Sequence, residues 1–113
     1  MAKIQEIGVA VLGFGTVGAG VVDTLQKNGD LLAERLGLRL ALRGVADLDL
    51  HSDRGVSVDP ALLTTDAAGL ITRPDVAVVV ELIGGTGAAR DLILRALRLG
   101  KPVVTANKKL LAE

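Results

Sequence analysis

Cysteine is absent from the 113 residues, which removes disulfides, thiolate metal sites and thiol nucleophiles together. What remains fits a reducing, cytoplasmic setting. Tryptophan and tyrosine are also missing, and Phe14 is the single aromatic side chain, so there is no platform on which bases could stack. Thirteen basic side chains balance thirteen acidic ones, and a chain without net charge has no general attraction for a polyanion. Nucleic acid is therefore not an expected partner. The first apolar run, Ile7 to Leu12, is far too short to span a membrane. Lys3 and Glu6 precede it and no small-residue cleavage signal follows, which argues against a signal peptide. The one histidine, His51, lies in an irregular stretch and reads as an exposed spectator. No His, Asp and Glu share metal-ligand spacing, so no metal site is expected.

What the chain does have is apolar residues and glycine. Half of its residues are hydrophobic, and its length suits one domain, residues 1–113, with a single core. Fourteen glycines are about twice the usual share for such a length. They form no repeat. Several stand instead at junctions between apolar runs, where a backbone turns or approaches a ligand.

The run from Ile7 to Leu12 is continuous rather than alternating, as in a strand buried on both faces of a parallel sheet. Val17, Val21 and Leu25 then recur every four residues up to Asn28-Gly29, which predicts a helix. Asp30 is placed to cap a short helix that Gly37 stops, and Leu38 to Ala46 reads as a second strand. Residues 48 to 60 lack periodicity and read as loop, with Val56 and Val58 as a short edge strand. Thr65 or Asp66 caps a small helix ending before Pro74. Val76 to Ile83 is the strongest strand, Gly87 to Leu99 a helix, and Pro102 to Thr105 a last strand. Asn107 can cap a helix starting at Lys108. Strands alternating with helices imply parallel βαβ units with right-handed crossovers. The expected fold is α/β, a Rossmann-type doubly wound parallel sheet with strand order 2-1-4-5 and a degenerate or empty third position.

Gly13-Phe14-Gly15-Thr16-Val17-Gly18 stands where the first strand becomes a helix, the setting that G-x-G-x-x-G requires to hold a dinucleotide. Gly13 permits the tight turn, Gly15 lets a pyrophosphate approach, and Gly18 lets the helix pack closely on the strand. The helix N-terminus then presents free N–H groups and the positive end of its dipole to the phosphates. No G-K-[ST] closes the loop, which sets aside a Walker-type phosphate site. Asp47, at the end of the second strand, is placed to hydrogen-bond the adenosine ribose. It lies farther on than the usual spacing of about twenty residues, and the extra helix at 30–36 accounts for the delay. A carboxylate there repels a 2′-phosphate, so the expected cofactor is NAD or NADP with NAD slightly favoured. Arg54 and Arg43 qualify that preference: Arg54 folding back over the site could also hold NADP, although exposed arginine is the usual reading of either.

Three segments together resemble homoserine dehydrogenase. They are the glycine loop continued as Ala19-Gly20-Val21-Val22, then Val79-Val80-Glu81-Leu82-Ile83-Gly84-Gly85, then Val103-Val104-Thr105-Ala106-Asn107-Lys108-Lys109-Leu110-Leu111. The stretch from Asn28 to Arg35 is similar to the family as well. The glycine loop is shared by many dehydrogenases, whereas E-L-I-G-G with T-A-N-K is far more specific. The resemblance implies NAD(P)-dependent interconversion of aspartate 4-semialdehyde and homoserine, on the way to threonine and methionine. It also implies that Gly84, Gly85 and Thr86 lie along the cofactor and that Thr105 and Asn107 approach its nicotinamide end. Lys108 matches the family lysine implicated in proton transfer at the substrate oxygen, where a cation would also stabilise developing charge. Its plain reading is a solvated lysine at a helix start, which is the reading given to Lys109. Glu81 has two readings, a group that contacts cofactor or orients a loop, and a solvated charge ending a buried strand.

The family enzyme is much longer, and its substrate domain would follow Glu113. The chain is therefore expected to be an N-terminal fragment that binds cofactor with little or no turnover. Apolar surface left uncovered by that domain would be exposed and open to self-association as a homo-oligomer. Two alternatives stay open on the residues alone. One is the coenzyme domain of a related enzyme such as aspartate dehydrogenase or dihydrodipicolinate reductase. The other is a nucleotide-sensing regulatory module of the same fold.

Overall fold

The computed structural model describes residues 5–47, 58–83 and 87–105. Its centre is β1 (Gln5–Leu12), whose residues from Val9 onward are buried. Helices α1 (Thr16–Lys27) and α2 (Gly29–Leu36) lead to β2 (Leu38–Ala46), which pairs parallel to β1. A 3₁₀ turn at Pro60–Leu62 delivers the two-residue β3 (Leu63–Thr64). Helix α3 (Ala67–Thr72), β4 (Val78–Glu81), α4 (Gly87–Arg98) and β5 (Val103–Thr105) follow. The sheet runs β3-β2-β1-β4-β5 with every pairing parallel.

Strand side chains alternate between faces, and both faces of β1 are covered. Ala10 and Leu12 pack with Leu70, Ile71, Val79 and Ala96, under α3 and α4. Val9 and Val11 pack on the other face with Phe14, Ala19, Val22 and Val45, under α1. A strand wrapped this way has no solvated face to carry polar residues, which is why its sequence is a continuous apolar run. The result is a Rossmann-type doubly wound α/β sheet.

The expected order 2-1-4-5 is present, and the third position is filled by β3. The strand seen there is Leu63–Thr64. Val58 is irregular, and Val56 lies outside the described residues. The shift has a local cause: the Asp59 carboxylate accepts from the Ala61 N–H and, with Pro60, forms the turn that brings Leu63 against Val45. Asp66 caps α3 as expected, accepting from the Gly69 N–H at 2.9 Å, and the helix ends before Pro74. Asp30 does not cap α2. Its carboxylate pairs with Arg39 of β2 at 2.8 Å instead. The helix expected after Asn107 lies outside the described residues.

Among the described residues no helix is long and apolar enough to cross a membrane, and no cluster of His, Asp and Glu could hold a metal. Large apolar side chains are nonetheless exposed. Leu94, Leu97 and Leu99 lie on and just beyond α4, Val104 on β5, and Leu31 and Leu36 on α2.

Candidate functional site

The carboxyl ends of four strands are held level by the register. Leu12 pairs with Ala46 on one side and Glu81 on the other, and Glu81 pairs with Thr105. The described residues that follow β1, β2 and β4 leave the sheet from this one edge, where ligands of open α/β sheets bind.

At its centre the chain turns at Gly13, whose φ of 99° is open to glycine and strained for other residues. The turn is close to its neighbours: the Gly13 N–H donates to the Ala46 carbonyl at 2.7 Å. A Cβ on Gly13 would stand 2.9 Å from the Leu82 carbonyl carbon. Gly18 is tighter still, since its Cβ would come within 2.0 Å of the Gly13 oxygen. That contact is the close approach of α1 to the strand that the motif requires. Gly15 differs in kind. Among the described residues a Cβ there would meet nothing within 4 Å, so none of them demands glycine. Gly15 is the N-cap of α1 and makes no side-chain cap bond, and the first turn holds no acid. The N–H groups of that turn point from a helix end that favours anions.

Asp47 is brought against this loop across 33 residues of sequence, accepting the Phe14 N–H on Oδ2 at 2.6 Å. Its own N–H is held by the Thr64 carbonyl of β3. The longer spacing is explained as expected, because α2 intervenes between α1 and β2. The Phe14 side chain turns away from the edge into the core, only 6 % exposed. Whatever Phe14 offers a ligand is main chain.

Glu81 is the charged side chain buried in the described core, with no exposed surface. This decides against the solvated-charge reading. Its Oε1 accepts the Ile83 N–H at 2.7 Å, and its Oε2 accepts the Thr105 hydroxyl at 2.6 Å. The signal in the sequence was an acid directly behind Val78-Val79-Val80, but only the β4–β5 register shows that Thr105 stands opposite. Arg43 is corrected. It is the residue skipped where the register passes from Val9 with Leu42 to Ala10 with Gly44, and its guanidinium pairs with Glu6 at the amino end of β1. It cannot fold over Asp47 from there. Gly84, Gly85, Thr86, Asn107, Lys108, Lys109, His51 and Arg54 lie outside the described residues, as do the side chains of Thr16 and Val17.

The model of the family described as homoserine dehydrogenase, NAD binding domain, matches residues 13–113. The chain belongs to this family. Curated relatives agree. The homoserine dehydrogenase of Corynebacterium glutamicum is 51% identical over 108 residues, 96% of this chain and 24% of the relative. That of Mycobacterium tuberculosis is 48% identical over the same share of each. Solved homoserine dehydrogenases share the fold: the Thiobacillus denitrificans structure matches with a TM-score of 0.87 at 36% identity, covering 99% of this chain and 26% of that one. A Staphylococcus aureus structure gives 0.86 at 29% identity, covering 94% and 27%. The chain thus spans about a quarter of the length of the curated homoserine dehydrogenases it matches. Family membership settles the choice that the residues left open, in favour of the homoserine dehydrogenase coenzyme domain.

Proposed function

We propose that the chain is the cofactor-holding part of an enzyme that transfers hydride between NAD(P)H and aspartate 4-semialdehyde to give homoserine. The observation that carries this is the space that the described residues leave over Gly15 at the N-terminus of α1, with a carboxylate fixed beside it on the Phe14 N–H. That cradle fits a dinucleotide: the turn N–H groups face the pyrophosphate, and Asp47 reaches the adenosine ribose. A carboxylate at that point favours NAD over NADP, because a 2′-phosphate would bring like charge against it. Nicotinamide cofactors supply the hydride. Gly84, Gly85 and Thr86 flank the cofactor from the end of β4, and Thr105 and Asn107 approach its nicotinamide half from the end of β5. Lys108 delivers the proton to the substrate oxygen and stabilises its developing charge.

The rest of the enzyme supplies the substrate pocket, so this chain binds cofactor with little turnover. The apolar side chains exposed on α4 and β5 support that reading, as surface which the remainder covers. Left bare, the same surface favours self-association of this chain at high concentration. The setting is the cytoplasm.

Calorimetric titration of the chain with NADH and with NADPH tests the proposal. Binding of NADH in preference to NADPH, weakened by Asp47→Ala, is the expected result. Absence of binding by either nucleotide would remove the chain as a self-sufficient cofactor module.

A further inference from the structure

We propose that Glu81 is a positioning residue for the nicotinamide half of the cofactor, acting through Thr105 and through the main chain at Ile83. The inference rests on the cofactor reading above and adds to it a residue that touches no ligand. A carboxylate at the end of an apolar strand is a poor choice for stability alone, since burying charge is costly even when it is hydrogen-bonded and an apolar side chain often does better. Here the two carboxylate oxygens divide their work. Oε1 holds the Ile83 N–H, immediately before Gly84, and Oε2 holds the Thr105 hydroxyl, two residues before Asn107. Glu81 and Thr105 are 24 residues apart in sequence. One side chain therefore sets the spacing of the two strand ends from which both proposed nicotinamide-flanking segments depart.

The bond also sets a polarity. A threonine hydroxyl carries one proton, and Glu81 takes it. Towards a ligand, Thr105 can then only accept. That matches the NH₂ group of a nicotinamide carboxamide and mismatches its carbonyl. In Glu81→Gln the shape is kept, and the amide oxygen can still accept from Ile83. The amide NH₂ then faces Thr105, whose hydroxyl must accept it and turn its own proton outwards.

The test separates the two halves of the cofactor by titrating the chain with NADH and with ADP-ribose, which lacks the nicotinamide. Glu81→Gln is expected to weaken NADH binding about tenfold, equivalent to about 1.4 kcal/mol, and to leave ADP-ribose within about twofold of wild type. Thr105→Val should reproduce the split, and Thr105→Ser should restore NADH binding. The thermal midpoint of each variant reports folding, and the Val and Ser pair carries the test if Glu81→Gln unfolds. Equal losses for both ligands, or NADH binding unchanged in Glu81→Gln and Thr105→Val, would overturn the positioning role while leaving the cofactor site intact. Failure of the wild-type chain to bind either ligand would instead sink the cofactor reading, and this inference with it.

Discussion

The two halves of the sheet use the same ingredients, a glycine under a backbone carbonyl and carboxylates at strand ends, for different purposes. Towards the amino edge, Glu6 pairs with Arg43 and Asp75 with Arg73, whose guanidinium also donates to the Arg43 carbonyl. A Cβ on Gly8 would lie 1.8 Å from the Asp75 oxygen. These groups close on one another, and ion pairs this exposed contribute little to stability. At the carboxyl edge, Asp47 and Glu81 accept from main-chain N–H groups and a hydroxyl. Their effect is to fix the backbone of loops, and beside them no described residue fills the space over Gly15. The lesson is that the amino edge ties its charged groups to one another, whereas the carboxyl edge, where the cofactor is proposed to bind, spends its carboxylates on ordering loops.

Steric substitutions should break this contrast most severely. Gly18→Ala forces a methyl onto the Gly13 carbonyl and is expected to cost at least about 3 kcal/mol in urea denaturation. Gly8→Ala should be similarly destabilising, yet whatever fraction remains folded should bind NADH as wild type does. Weakened binding there would show that the two edges are not independent. Gly15→Ala inverts the pattern. Its stability should change by less than about 1 kcal/mol, while NADH affinity measured by calorimetry should fall more than about tenfold, because the methyl occupies the cradle. Unchanged affinity would move the phosphates elsewhere. Asp47→Asn should lower NADH affinity about fivefold and NADPH affinity less, a change in ratio that no amino-edge variant should reproduce.

The smallest effect belongs to Asp75. Its hydrogen bond from the Arg73 guanidinium, reinforced by that residue's charge and opposed by desolvation, holds the carboxyl below its ordinary value of 3.8. A depressed folded-state pKa means stability that is present above the unfolded value and lost as pH falls through the folded one. Wild type should therefore slightly exceed Asp75→Asn in urea midpoint at neutral pH, and the gap should close progressively below pH 3.8. A gap that persists unchanged in acid would assign the difference to something other than the charge.

Patterns that depend on neighbours in sequence were legible beforehand. The run through Val11 and Leu12 announced a doubly covered strand, the glycines marked its turn into α1, and the second strand ends directly before Asp47 as its pattern indicated. Features that depend on distant partners were not. The two residues Leu63 and Thr64 are too few to show a period, and the preceding turn selects them. Arg43 looked available until the skipped residue in β2 sent its side chain to Glu6. Glu81 could be read as solvated or buried because the hydroxyl that meets it belongs to another strand. The loop motif contains Phe14 but says nothing of its side chain, which the fold places in the core.

The bond between Asp47 and the Phe14 N–H bears on how cofactor choice could be redesigned. The residue proposed to read the ribose is also the tether of the loop proposed to hold the phosphates, so the two traits are mechanically joined. Exchanging Asp47 for a small neutral residue to admit a 2′-phosphate would remove the repulsion and untie the loop in one step. A successful switch would therefore come as a pair of changes, one to welcome the phosphate and one to give the Phe14 amide a new acceptor. Drift between NAD and NADP along this lineage should be correspondingly slow at this position.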